Sequence, residues 1–189
     1  MRRVLLTLGM FVTFFSAGYG QIISQYIETN SGTEPKGIEI WNNTGATLDF
    51  STNNLVIEKG TNGATPSSDF TLNSGTLAVG EVIVIGTTDL QVTTEGNGAV
   101  FYAKSFTFNG DDALVVKYGG ATTDVFGISG VDPGSSWSGS SVSTANQNIK
   151  LRSGIITGDI DGWSDPSEHV VTVNTDTVND DTRFGIAPV

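Results

Sequence analysis

From Gln21 to Val173 the apolar residues fall into short runs of Val, Ile, Phe and Thr, divided by clusters of Gly, Asn, Asp and Ser. No long stretch follows the helical period of about 3.6 without interruption by Gly or β-branched residues. The pattern predicts an all-β chain with many tight turns, a sandwich or barrel. Candidate strands run over 22–28, 37–42, 47–50, 54–58, 70–72, 81–85, 99–103, 105–108, 113–118, 123–127, 148–152 and 169–173. In the second, Ile38 and Ile40 share one face and Glu39 and Trp41 the other, because side chains alternate along a strand. The run at 81–85 is apolar at successive positions, which predicts burial on both faces. Asn109-Gly110 and Gly119-Gly120 predict hairpin turns, since these residues tolerate positive φ. Segment 134–144, rich in Gly and Ser around Trp137, and segment 158–167 read as loops.

The first twenty residues have a different pattern. Arg2 and Arg3 precede an uncharged apolar run from Val4 to Phe15, and small residues lead to Gly20. This is the layout of a secretory signal peptide, removed after Gly20. The run is shorter than the about 20 residues a membrane span needs. The expected organisation is a leader over 1–20, one β-sandwich domain over 21–173, and an acidic, loosely held tail over 174–189. No later segment is apolar and long enough to cross a bilayer, so no membrane insertion is expected after cleavage. The expected location is secreted, or at the cell surface. The chain has no cysteine. That rules out disulfides, thiolate chemistry and lipid attachment through Cys, and leaves stability to core packing.

Charge narrows the partners. The chain has 9 basic and 20 acidic residues, a formal charge of −11. Loss of Arg2 and Arg3 with the leader takes this to −13. Such a surface repels phosphate backbones and anionic lipid, because affinity for both rests on Lys and Arg. Nucleic acid is therefore excluded as a partner. Divalent cations, neutral glycans and basic protein surfaces suit the charge, and so does simple solubility.

Several segments, in order, resemble bacterial lamin-tail domains. Ile23-Ser24-Gln25-Tyr26-Ile27-Glu28 followed by Gly37-Ile38-Glu39-Ile40-Trp41-Asn42-Asn43-Thr44 is similar to the opening pair of strands in that family. Asp49-Phe50-Ser51 stands where the family has Asp-Leu-Ser, and Leu77-Ala78-Val79-Gly80-Glu81 resembles its turn before an apolar strand. Phe106-Thr107-Phe108-Asn109-Gly110-Asp111-Asp112-Ala113 resembles its Phe-Asn-Gly-Asp-Asp-Ala turn. Asp124-Val125-Phe126-Gly127, the stretch from Gly130 to Gly134, Trp137, and Thr144 to Arg152 follow in the family's order. The resemblance spans most of the chain after the leader. It implies an immunoglobulin-like β sandwich of a kind found on secreted and surface proteins, often beside extracellular hydrolases. It supplies no catalytic residues to transfer.

Candidate chemistry is sparse. Nucleophile–base catalysis needs a proton acceptor near neutral pH, and the one histidine is His169, beside Ser167 and Glu168. Neighbours in an extended strand point to opposite faces, so no catalytic site is expected. Asp159, Asp161 and Asp165 share one loop and are candidate calcium ligands, with Asp132 a possible contributor, since hard cations gather several oxygens. No other cofactor is expected. Trp41, Trp137 and Trp163 are candidate ligand-binding residues: exposed indoles stack on sugars and anchor protein interfaces. The competing reading is that each indole plugs an end of the sandwich. Segments 21–28 and 170–173 are β-prone and terminal, and either can add to another chain's sheet edge to build a homo-oligomer. The functional expectation is a non-catalytic binding or adhesion module for a glycan or an extracellular protein. A self-associating structural subunit is the alternative, and a relative of an extracellular hydrolase the third reading.

Overall fold

The computed structural model describes residues 20–28, 35–173 and 183–188. The expected leader before Gly20 lies outside the described residues. The strands are β1 (Gln21–Glu28), β2 (Lys36–Asn42), β3 (Leu48–Asp49), β4 (Leu55–Gly60), β5 (Ser67–Leu72), β6 (Thr76–Leu77), β7 (Val82–Gly86), β8 (Val100–Ala103), β9 (Ala113–Tyr118), β10 (Ala121–Phe126), β11 (Ser138–Gly139), β12 (Val142–Ser143), β13 (Asn148–Leu151) and β14 (Val170–Thr172). A short helix, α1 (Gln91–Gly96), separates β7 from β8.

Two larger sheets carry the structure. One has six strands in the order β14-β13-β1-β2-β7-β8, the other four in the order β10-β9-β4-β5. All their pairings are antiparallel except β7 with β8, which the helical crossover makes parallel. Ile23, Tyr26, Ile38, Ile40, Ile83 and Ile85 of the first sheet share a single core with Leu55, Ile57, Leu114, Val116 and Phe126 of the second. Tyr26 is the centre of it, stacked on Phe126 at 4.5 Å and on Phe108 at 4.9 Å. The molecule is thus mostly β, with two facing sheets, as the residue pattern predicts.

Gly119 and Gly120 form the predicted hairpin between β9 and β10, both at positive φ (57° and 85°). The Asn109-Gly110 turn behaves differently. Residues 105–108 are not a strand, and the turn carries the chain from the six-stranded sheet at β8 to the four-stranded sheet at β9. Phe106 and Phe108 both drop into the core there. The Phe108 carbonyl, which has no strand partner, accepts from Lys36 Nζ at 2.6 Å instead. The loop around Trp137 contains one further hairpin, β11 with β12, turned by Ser140 and Ser141 at positive φ.

Two expectations about the ends of the chain need correction. β1 is not an edge: it is hydrogen-bonded to β13 on one side and β2 on the other. It therefore offers no edge to a second copy, and of the two terminal segments only the short β14 lies at a sheet edge. The tail is not loosely held throughout. Phe184 is fully buried against Ile27, Val84 and Leu90, with Phe101 beside them. Among the described residues no helix is long and apolar enough to cross a membrane. Replacement of Phe184 by Ala is expected to lower unfolding free energy by about 3 kcal/mol, the usual cost of emptying a buried aromatic site. Urea unfolding of the two proteins measures this, and a change under about 0.5 kcal/mol, typical of surface positions, would return residues 183–188 to the status of a loose tail.

Candidate functional site

β1 and β2 are buried at every position, and so is β7. One face of these strands looks into the core, so the other face needs its own cover. Three pieces of chain supply it. Leu90, just before α1, packs with Phe184 over Ile27 and Val84. Ala187 and Ile155 pack over Ile22, Trp41, Val82 and Leu151. The cover is incomplete. Between the segment 183–188, the loop 152–156 and the sheet lies a cavity of about 770 Å³, the larger of the two cavities described here. Its walls include Glu39 and Trp41 of β2, Leu151 of β13, Ile155, and Ile186 of the C-terminal segment, with Lys150, Arg152 and Arg183 also lining it.

Glu39 holds the cover to the floor. Its Oε1 accepts from Ser24 Oγ at 2.6 Å and its Oε2 from the Gly185 N–H at 2.7 Å. Burial pushes the carboxyl up to about 7, against the pull of the Ser24 hydroxyl and the Gly185 and Ile186 N–H groups. Trp41, 8% exposed, joins Glu39 in the lining, and its indole Nε1–H finds no acceptor among the described residues. Asp124 is a second buried carboxyl, also pushed up to about 7, chiefly by burial. Its Oδ2 accepts from Ile23 N–H at the bulge in β1, and its Oδ1 from Asp159 N–H. It ties β1, β10 and the 158–167 loop together and does not line either cavity.

The candidate residues read from the sequence do not form one site. Trp137 and Trp163 are core residues, 3% and 7% exposed, set edge-to-face at 6.4 Å. The Trp163 ring meets Phe126 at 4.8 Å. The Trp137 ring packs on Gly127, whose φ of 77° and missing Cβ make room for it. Rings so enclosed plug the sandwich and cannot stack on a sugar, so the reading of these two as a binding platform is corrected. Trp41 alone of the three meets a cavity. It does so from the face opposite Ile38 and Ile40, as the alternation predicts.

The three aspartates do not gather as one site either. Asp159 Oδ1 accepts from the N–H groups of Asp161 and Gly162, while its Oδ2 faces His169 Nε2 at 3.6 Å. Asp165 instead caps the turn at Pro166–Glu168 through Ser167 N–H. Among the described residues no three His, Cys, Asp or Glu side chains gather as a metal site would require. Asp159 and Asp165 each take up backbone N–H groups of their own turns, and the structure does not bring the three expected calcium ligands together as one site. Asp132 accepts from Gly134 N–H in the same manner. His169 stacks on Trp163 at 5.9 Å and borders a smaller, more open cavity of about 370 Å³. Ser167 Oγ donates to Asp165 Oδ1 at 2.6 Å, which leaves the serine bonded to a carboxylate and not to the histidine.

The cavity was missed in the sequence because its walls come from distant segments, and the closing piece lies in the stretch read as tail. The run Phe184-Gly185-Ile186-Ala187-Pro188-Val189 was the available signal, since it is apolar where the preceding residues are acidic and polar. Comparison with protein families, with curated proteins and with solved structures finds no match.

Glu39 gives the site a pH signature. Below about pH 4.5 the carboxyl is protonated whether the chain is folded or not; between there and about 7 only the folded protein keeps the proton. Its contribution to stability therefore falls as pH rises through that window and is level above it. Glu39→Gln is expected to remove this slope, up to about 1.4 kcal/mol per pH unit for one proton. Urea unfolding at stepped pH compares the two proteins, and parallel curves would mean that Glu39 titrates normally.

Proposed function

We propose that the protein is a non-catalytic binding module acting outside the cell, built on an immunoglobulin-like sandwich of the lamin-tail type, with its ligand in the cavity above Trp41. The observation that carries this reading is the cavity itself. It is large enough for a small molecule, it opens on the outer face of the main sheet, and its lining includes Trp41, whose buried indole N–H has no acceptor among the described residues. Export is supported by the leader-like residues 1–20. The order of family-like segments supports the finer fold. The absence of catalysis is supported by the engagement of Ser167 with Asp165 and of His169 with Trp163 and Asp159. A glycan ligand loses the support of two of its three candidate rings, since Trp137 and Trp163 are in the core.

The reading predicts that occupancy of the cavity governs binding. Ser153 lines the cavity and is exposed, so a larger side chain there fills space without disturbing the core. The purified protein is to be screened for retention against insoluble polysaccharides, surface proteins and small amphiphiles. Ser153→Trp is expected to weaken the retained interaction at least tenfold with the melting temperature unchanged. Retention untouched by Ser153→Trp would place the binding surface elsewhere. A folded protein that retains nothing would count against a binding module.

A further inference from the structure

Charge is distributed unevenly around the cavity. After Gly20 the chain has seven basic residues against 20 acidic ones. Three of the seven, Lys150, Arg152 and Arg183, line this one cavity. They come from β13, from the loop after it and from the C-terminal segment, so the fold and not the local sequence assembles them. None is in an ion pair with a carboxylate among the described residues. Arg152 donates to the Ser167 carbonyl at 2.5 Å, which orients its guanidinium without neutralising it.

The one carboxyl in the lining among the described residues, Glu39, is occupied on both oxygens by Ser24 and Gly185. It is also held near neutrality by burial, and so opposes an anion less than a surface glutamate does. The remaining wall is largely aliphatic, from Leu151, Ile155, Ile156, Val171, Ile186 and Ala187. A sugar would leave its hydroxyls facing these side chains unpaired, which is costly. A free inorganic anion would leave them unfilled. An anionic head joined to an aliphatic body satisfies both parts, with guanidinium groups suited to a carboxylate.

Resting on the binding-module reading, we propose that the cavity takes a small amphiphilic carboxylate, its aliphatic body against Trp41, Leu151 and Ile155 and its head group at Lys150, Arg152 and Arg183. The source of negative charge is a separate molecule. The chain's own Asp176, Asp180 and Asp181, which lie outside the described residues between Val173 and Arg183, are the competing source.

Calorimetric titration of the purified protein with octanoate, octanol and acetate tests this. Octanoate is expected to bind at least tenfold more tightly than octanol, with acetate not competing. Lys150→Gln combined with Arg183→Gln is expected to abolish that preference while leaving octanol binding and the melting temperature unchanged. Equal affinity for octanoate and octanol would overturn the carboxylate assignment and leave the cavity a binding site. Failure of both probes, with retention of another ligand still lost in Ser153→Trp, would overturn the amphiphile and spare the binding module. Failure of both with nothing retained would remove both readings. Replacement of the three aspartates by Asn supplies the last arm. If octanoate binds only to that variant, the cations serve the chain's own carboxylates and the proposal falls.

Discussion

The middle strands of the six-stranded sheet are buried on both faces, and much of the architecture answers to that fact. A sheet with one wet face needs only a core beneath it; one that buries Ile22, Ile27, Val82 and Val84 on the far side needs a lid as well. At about 25 cal/mol per Å² of apolar surface removed from water, each such side chain left exposed forfeits about 2 kcal/mol. The chain meets the demand with short pieces and not with a third sheet. α1 and the turn before it bring Leu90, the loop after β13 brings Ile155, and the C-terminal segment brings Phe184 and Ala187. Short pieces cannot tile a twisted sheet completely, and the cavity lies among them.

Polar cross-links hold these pieces where a disulfide-bearing protein would use cysteine. Glu39 fastens the C-terminal segment and Asp124 the 158–167 loop, each through backbone N–H groups. At the opposite end, Lys36 Nζ contacts Glu28 at 3.3 Å and the Phe108 carbonyl at 2.6 Å, while Glu28 accepts from Asn146 N–H. Such buried charges add little net stability, because desolvation consumes most of their attraction. Their effect is on uniqueness. A sheet shifted by one register would strand Glu28, Glu39 or Asp124 without a partner, at a cost of several kcal/mol. The bulge in β1 between Ile23 and Gln25 is fixed in this way, its Ile23 N–H being taken by Asp124.

How much of this was legible depended on the range of the interaction concerned. Strand positions followed from local alternation, and the double burial of 82–86 from its unbroken apolar run. The face of Trp41 followed from its place two residues from Glu39. Long-range facts were not legible. Asn109-Gly110 has the chemistry of a hairpin, but whether its flanks pair with each other depends on which sheet each joins, and Phe106 and Phe108 have a better destination in the core. Asp159, Asp161 and Asp165 have the spacing of a cation loop, yet the loop's own N–H groups take an oxygen of Asp159 and one of Asp165. Trp137 and Trp163 lie in Gly-rich and acidic loops that fold back over the sandwich, which composition alone does not show. The resemblance to lamin-tail domains concerned residues 22 to about 163, so it said nothing of the segment that closes the cavity.

The lid and the candidate site are one structure, and this links binding to stability. Unfolded chain has no cavity, so a ligand held there adds stability in proportion to the logarithm of its concentration over its Kd. The linkage is local as well as global. Gly185, held by Glu39, sits between Phe184, which is anchored over Ile27 and Val84, and Ile186, which lines the cavity. The segment is thus pinned by the burial of Phe184, by one carboxyl at Gly185 and by Ala187 packed over the Trp41 cluster, with Ile186 facing the cavity between them. A ligand that fills the gap completes the cover that the outer face of the sheet requires. On the proposed reading, the same constraint that brings the C-terminal segment back onto the domain also favours an occupied cavity over an empty one.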